Sequence, residues 1–157
     1  MSYIVETDFI HVGLRCVVIL SSRGHRCGYV GISTDHPLYG VGYRQKIKNI
    51  HELNGKCPED CFDVHGGITY SNVEKDYPVE NNKLWWFGYD CAHVDDAADI
   101  NLMDEETKKL YVLAAAITPN NRNVGAIRNG VIRNLKYCVE ECKKLAEQLA
   151  VFMQRTI

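Results

Sequence analysis

The feature that most limits how this chain can fold lies near its C-terminus. Ile132, Leu135, Val139, Cys142, Ala146, Leu149 and Met153 follow one another at alternating steps of three and four, so on a helix from about Asn129 to Arg155 they form one apolar stripe. On another face Lys136, Glu140 and Lys144 have the i,i+4 spacing of helical ion pairs. A long helix with one apolar side has to bury that side. Either the stripe covers a sheet within the same chain, or it extends into a homodimer seam, since Cys138, Leu145 and Phe152 widen the apolar face.

The rest of the chain supplies the sheet. Arg15–Leu20 (RCVVIL) and Cys27–Ile32 (CGYVGI) are rich in β-branched residues and flank a polar, Gly-containing loop, which predicts a hairpin. Phe62–Tyr70 and Leu84–Cys91 read as a third and a fourth strand, pairing antiparallel across the polar stretch Ser71–Lys83. In that pairing Gly66 and Gly67 come near Gly88 and leave a patch of sheet without side chains, the kind of place where a ligand approaches closely. Between the hairpin and the third strand, Tyr43, Ile47 and Ile50 stand at helical spacing and suggest a short helix from Gly42 to about His51. Asp104 caps a further helix through EETKKLYVLAAAI, although LYVLAAAI also reads as a buried strand. Thr118–Asn123 (TPNNRN) breaks that element. The expected fold is a single α+β domain, a mainly antiparallel sheet of four or more strands packed against the C-terminal helix.

Composition narrows the function classes. The 157 residues suit one core, and 18 basic against 20 acidic side chains give a net charge of −2, so no positive field draws in long nucleic acid or an anionic membrane. No apolar run approaches bilayer length, and MSYIVETDFIHV has neither the basic start nor the apolar stretch of a signal peptide, so a cytoplasmic protein is expected. Seven cysteines cannot all pair within one chain and are read as thiols, most of them small core residues.

Four blocks stand out: GHRCGYVGI (24–32), DHPLYG (35–40), DVHGGITYS (63–71) and WWFGYDCAH (85–93), followed by EECKKLAEQL (140–149) in the helix. Together they cover nearly the whole chain and resemble a family of small bacteriophage and prophage proteins. The resemblance implies a phage origin and a place in the host cytoplasm, and it carries no activity with it. Small phage proteins include sponges and nucleases that capture or cut the nucleotide second messengers of host defence.

The candidate chemistry centres on Leu84–Asp96 (LWWFGYDCAHVDD), where aromatic residues pass into ionisable ones, and on His65. Two imidazoles, His65 and His93, each near an acid (Asp63, Asp90), can serve as base and acid on a phosphodiester. Thr69, Tyr70 and the amides of Gly66 and Gly67 would then hold a non-bridging oxygen. A binding site draws on other residues, with Arg23, His25 and Arg26 gripping phosphate while Trp85, Trp86, Tyr89 and Tyr29 stack on a base. His65, Asp90, His93 and Asp96 form a mixed set suited to a transition metal, Cys57, Cys61, Cys138 and Cys142 a thiolate set for zinc, and Cys91 beside His93 a thiol nucleophile. Against all of these stands the plain alternative of hydrogen-bonded sheet histidines, core aromatics and solvated arginines. Three functions follow: a binder of a small nucleotide-like anion, a hydrolase or phosphodiesterase using His65, His93 and Asp90, or an interaction module without a small ligand. No cofactor is specified by any of them.

Overall fold

The computed structural model describes residues 2–117 and 130–153. A five-stranded antiparallel sheet runs through it, built from β1 (Tyr3–His11), β2 (Leu14–Ser21), β3 (Arg26–Ile32), β4 (Tyr70–Val73) and β5 (Trp85–Asp90) in the order β1-β2-β3-β5-β4. The remaining elements among the described residues are α1 (Pro58–Cys61), a small parallel pair β6 (Asp96–Ala97) and β7 (Val131–Ile132), the helices α2 (Glu105–Ile117) and α3 (Leu135–Ala150), and two 3₁₀ turns at His51–Leu53 and Ile100–Leu102. The α+β class with an antiparallel sheet against a C-terminal helix is therefore observed.

The hairpin of β2 and β3 forms where the β-branched runs predict it. It is extended by a strand that the β-branched runs do not announce, β1, joined to β2 through Val12 and Gly13, both at positive φ as a tight two-residue hairpin turn requires. The β1–β2 register shifts between Val5 and Thr7, so Glu6 is the extra residue of a bulge. Bulges re-aim side chains, and the Glu6 carboxylate grips the Arg26 guanidinium of β3 at 2.6 Å (Oε1 to Nε) and 3.2 Å (Oε2 to Nη2).

Both faces of the sheet are covered. On one, Leu14, Cys16, Val18, Val30, Ile32, Phe87 and Tyr89 pack under Cys138, Cys142, Leu145, Ala146 and Leu149 of α3. On the other, Val17, Ile19, Tyr29 and Trp86 pack against Tyr3, Tyr70, Tyr77, Val79 and Leu84. Trp85 and Trp86 thus point to opposite faces, as strand alternation demands, and each finds a packed environment. Tyr29 and Tyr89 also lie across their neighbours' glycines: a Cβ on Gly28 would come within 2.3 Å of the Tyr89 ring, and one on Gly88 within 2.6 Å of the Tyr29 ring.

Several expected elements take another form. Residues 62–69 are not a strand but a loop, with Gly66 and Gly67 at φ 68° and 80° and the Gly67 amide donating to Val64 O, and the strand starts only at Tyr70. Tyr70 pairs with Gly88, so Gly66 and Gly67 never lie beside it and the bare glycine patch does not exist. Gly42–His51 is a chain of turns rather than a helix. Ile47 and Ile50 are buried there because the Ile47 amide and carbonyl bond to Lys56 and Gly55 across the turn, and only His51–Leu53 forms a single 3₁₀ turn.

Asp104 does cap α2, its Oδ1 accepting from the Thr107 amide at 2.7 Å, and the segment is helix rather than buried strand, with Leu110, Val112, Leu113 and Ile117 exposed. In α3 the buried line is Cys138, Cys142, Leu145, Ala146 and Leu149, rotated from the expected stripe, whose Ile132 belongs to β7. Cys138, Leu145 and Phe152 therefore belong to the intramolecular core and are not free to form a dimer seam. Lys144 pairs with Glu141 at 3.1 Å rather than with Glu140. The expected helix limits Asn129 and Arg155, and the break at Thr118–Asn123, lie outside the described residues. No helix among the described residues is long and apolar enough to cross a membrane.

Candidate functional site

His65 sits in the loop before β4 and His93 in the loop after β5, and their ring centroids are 6.0 Å apart. Neither is on a strand. What holds the His65 loop in place is a polar row on α3 beside its apolar line. Gln148 makes two hydrogen bonds of 2.8 Å to the Asp63 backbone, Glu141 Oε1 accepts from the His65 amide at 2.8 Å, and Tyr137 Oη meets His65 Nδ1 at 2.8 Å. Gly66 completes the fit, because its backbone lies so close to His93 that a Cβ there would come 2.1 Å from the imidazole Nε2.

The other nitrogen of His65 faces Asp96. His65 Nε2 lies 2.8 Å from Oδ2 and 3.0 Å from Oδ1 of a carboxylate that is 1% exposed. Asp96 also accepts from Arg133 Nε at 2.9 Å and from the His93 amide at 3.1 Å. Burial works against the charge on Asp96, but the hydrogen bonds from His65, Arg133 and the His93 amide outweigh it and hold the carboxyl below the usual carboxylate range. The short β6–β7 ladder is what carries Arg133 to this point, since Asp96 pairs with Val131. Arg133 also lies over the Tyr137 ring, 5.2 Å from its centroid.

Since an ionised carboxylate only accepts, His65 Nε2 donates to Asp96, and Nδ1 shares its hydrogen bond with the Tyr137 hydroxyl. His65 therefore presents no free nitrogen, and the group it offers outward is Tyr137 Oη. His93 is different. Its side chain is 38% exposed, while its Nε2 is buried without a hydrogen-bond partner, 3.4 Å from Asp90 Oδ1. With Nε2 enclosed, Nδ1 is the nitrogen through which His93 can exchange protons with a bound molecule. Asp90 is fixed by Thr69, whose hydroxyl donates to Oδ2 at 2.9 Å, and by the Ala92 amide at 3.1 Å.

Of the residues singled out from sequence, His65, His93, Asp90, Gly66 and Thr69 converge here. His25 borders the cluster, its Nδ1 donating to Cys91 O at 2.8 Å. Gly67 stands in the same loop with open space where a side chain would be. The stacking and clamping residues do not converge. Trp86 and Tyr89 are 0% and 1% exposed, Trp86 in the aromatic layer and Tyr89 under α3, where its hydroxyl donates to Cys138 O at 2.6 Å. Tyr70 packs edge-on against Tyr29 and donates to Glu74 at 2.7 Å. Arg26 is 6% exposed and committed to Glu6 and to Arg133 O. Arg23 is exposed on the β2–β3 loop.

Among the described residues no three His, Cys, Asp or Glu side chains converge in a way that would hold a metal ion. Both nitrogens of His65 are hydrogen-bonded, Nδ1 to Tyr137 and Nε2 to Asp96. Cys138 and Cys142 are core thiols, and Cys57 instead donates to Arg44 O at 3.2 Å. Cys91 Sγ is buried 3.6 Å from Cys138 Sγ, and that contact together with burial pushes its thiol far above the ordinary range, which removes it as a nucleophile facing His93. The shallow groove along α2, lined by Lys108, Lys109, Val112 and Leu113, includes no residue of the cluster.

Tyr137, Asp96, Arg133 and Glu141 complete a constellation in which two imidazoles are each backed by a carboxylate. No protein-family model, curated protein or solved structure matches the chain at a significant level.

Proposed function

We propose that the protein is a small acid–base hydrolase acting on a phosphodiester of nucleotide size. The observation that carries this reading is the pairing of two imidazoles beside carboxylates, His65 hydrogen-bonded to Asp96 and His93 with Nε2 3.4 Å from Asp90 Oδ1, with ring centroids 6.0 Å apart. Hydrolysis of a diester needs one group to take a proton from the attacking oxygen and another to give one to the leaving oxygen. His65 works through Tyr137 Oη on one side and His93 through Nδ1 on the other. Arg133, beside both Asp96 and Tyr137, supplies the positive charge that a developing phosphoryl anion requires.

Sequestration without turnover has less support, since Trp86 and Tyr89, which would stack on a base, are enclosed in the core, and Arg26 is buried with its donors committed to Glu6 and Arg133 O. The resemblance to small phage proteins makes the signalling nucleotides of host defence the first substrates to try.

The test is incubation of the purified protein with cyclic mononucleotides, cyclic dinucleotides and bis(para-nitrophenyl) phosphate, with products resolved by chromatography. The wild type is expected to release linear products or nitrophenolate. His93→Ala should lose roughly a hundredfold or more in rate while keeping its melting temperature, because the ring is part-exposed and Nε2 bonds to nothing. A wild-type protein that leaves every diester intact would remove the hydrolase reading.

A further inference from the structure

We propose that Tyr137 is a covalent nucleophile, activated by His65 and Asp96, and that the phosphoryl group of the substrate is carried transiently on its Oη. This rests on the phosphodiesterase reading above and specifies how that site works. An activated nucleophile is recognised by a hydrogen bond to a base that a third group orients in turn. Here Oη to Nδ1 is 2.8 Å and Nε2 to the Asp96 carboxylate is 2.8 Å, an unbroken line from phenol to buried acid.

Each member is locked from outside the line. Asp96 is held by Arg133 and the His93 amide, His65 by Glu141 through its amide, and Tyr137 by the Asn134 cap, whose Oδ1 accepts from the Tyr137 amide at 2.8 Å. Burial and the nearby Glu141 hold the phenol above its ordinary range, so it does not ionise unaided and needs the base that touches it. A phosphoryl rather than an acyl group is inferred from Arg133. Its guanidinium lies over the Tyr137 ring, 5.2 Å from the centroid, and among the described residues its Nε bonds to Asp96, so the Nη groups have donors left for an anion held beside that ring.

The steps balance. Tyr137 Oη gives its proton to His65 Nδ1, and the resulting imidazolium is held by Asp96. Oη bonds to phosphorus as the bond to the leaving oxygen breaks, and His93 gives that oxygen a proton. His93, which enters the cycle as the imidazolium and has given up that proton, regains one from water, whose oxygen bonds to phosphorus as the Tyr137 Oη–P bond breaks. Oη then recovers its proton from His65. The net change is diester plus water to monoester plus alcohol.

The experiment mixes excess protein with bis(para-nitrophenyl) phosphate, quenches in acid and maps any adduct by peptide mass spectrometry. Nitrophenolate leaves without needing a proton, so His93→Ala should form the nitrophenylphosphoryl adduct on Tyr137 and stall there. Tyr137→Phe should form no adduct and lose roughly a thousandfold in turnover with an unchanged melting temperature. A chiral thiophosphate diester hydrolysed in isotopically labelled water, so that the new oxygen keeps phosphorus stereogenic, gives an independent reading on the wild type: two displacements retain configuration at phosphorus, and a single attack by water inverts it. Inversion, or a Tyr137→Phe protein that turns over at the wild-type rate, would overturn the nucleophile and leave the hydrolase reading standing. Absence of any cleavage by the wild type would instead strike the hydrolase reading itself.

Discussion

Asp96 is the residue on which the cluster depends. One carboxylate, almost fully enclosed, takes hydrogen bonds from His65, Arg133 and the His93 amide. Hydrogen bonds to a charged group contribute roughly 1.5–3 kcal/mol each when one partner is removed, so Asp96→Asn should cost about that much in urea unfolding. The pH dependence has a definite sign. Asp96 titrates lower in the folded protein than in the unfolded chain, so its contribution is complete above the ordinary carboxylate range and is lost as pH falls through the depressed folded value. The stability difference between wild type and Asp96→Asn should therefore be flat above about pH 5 and shrink below it. A difference that stays constant into strong acid would show that the carboxylate is not charged in the fold. At this scale the imidazoles and Asp90 were legible in the sequence, because their chemistry is written in the side chain. Tyr137, Glu141 and Gln148 were not, since polar residues on a helix read as solvated. The signal was present in their spacing, which continues at steps of four and seven beside the apolar line.

The elements differ in how much holds them. α3 buries five side chains over the sheet, whereas α2 is capped by Asp104 and leaves Leu110, Val112, Leu113 and Ile117 exposed. Exposed positions away from caps and cores usually change stability by no more than about 0.5 kcal/mol. Leu110→Gln with Leu113→Gln should accordingly leave the thermal midpoint of the isolated protein nearly unchanged, as followed by circular dichroism. A drop of several degrees would mean that this face is covered in solution. The β-branched runs and the three-to-four spacing were sufficient to find β2, β3 and α3. They failed at residues 62–69, where alternation exists in the letters but two successive glycines at positive φ turn the backbone, and at β1, an edge strand whose alternation is broken by the bulge at Glu6.

For the molecule as a whole, the sheet is a partition with a helix on one side and an aromatic layer on the other, and the Glu6–Arg26 pair ties its parts together. Arg26 reaches from β3 to the β1 bulge and to Arg133 O just beyond β7, so it joins the main sheet to the unit that carries Asp96. Arg26→Ala should lower stability by roughly 1.5–3 kcal/mol in chemical denaturation, with the Michaelis constant for a diester unchanged. A specific rise in that constant without loss of stability would return Arg26 to the ligand. The sequence by itself determined the class of fold, the β2–β3 hairpin, the long amphipathic helix and the two imidazoles, because periodicity and side-chain chemistry are local properties. Only the tertiary structure decided that Trp86, Tyr89 and Arg26 are framework, and that Tyr137, 72 residues from His65, and Asp96, 31 residues from it, meet on that one ring. Contacts over such separations are set by how loops close on the sheet and by which face of α3 it accepts, and no short window of residues encodes either.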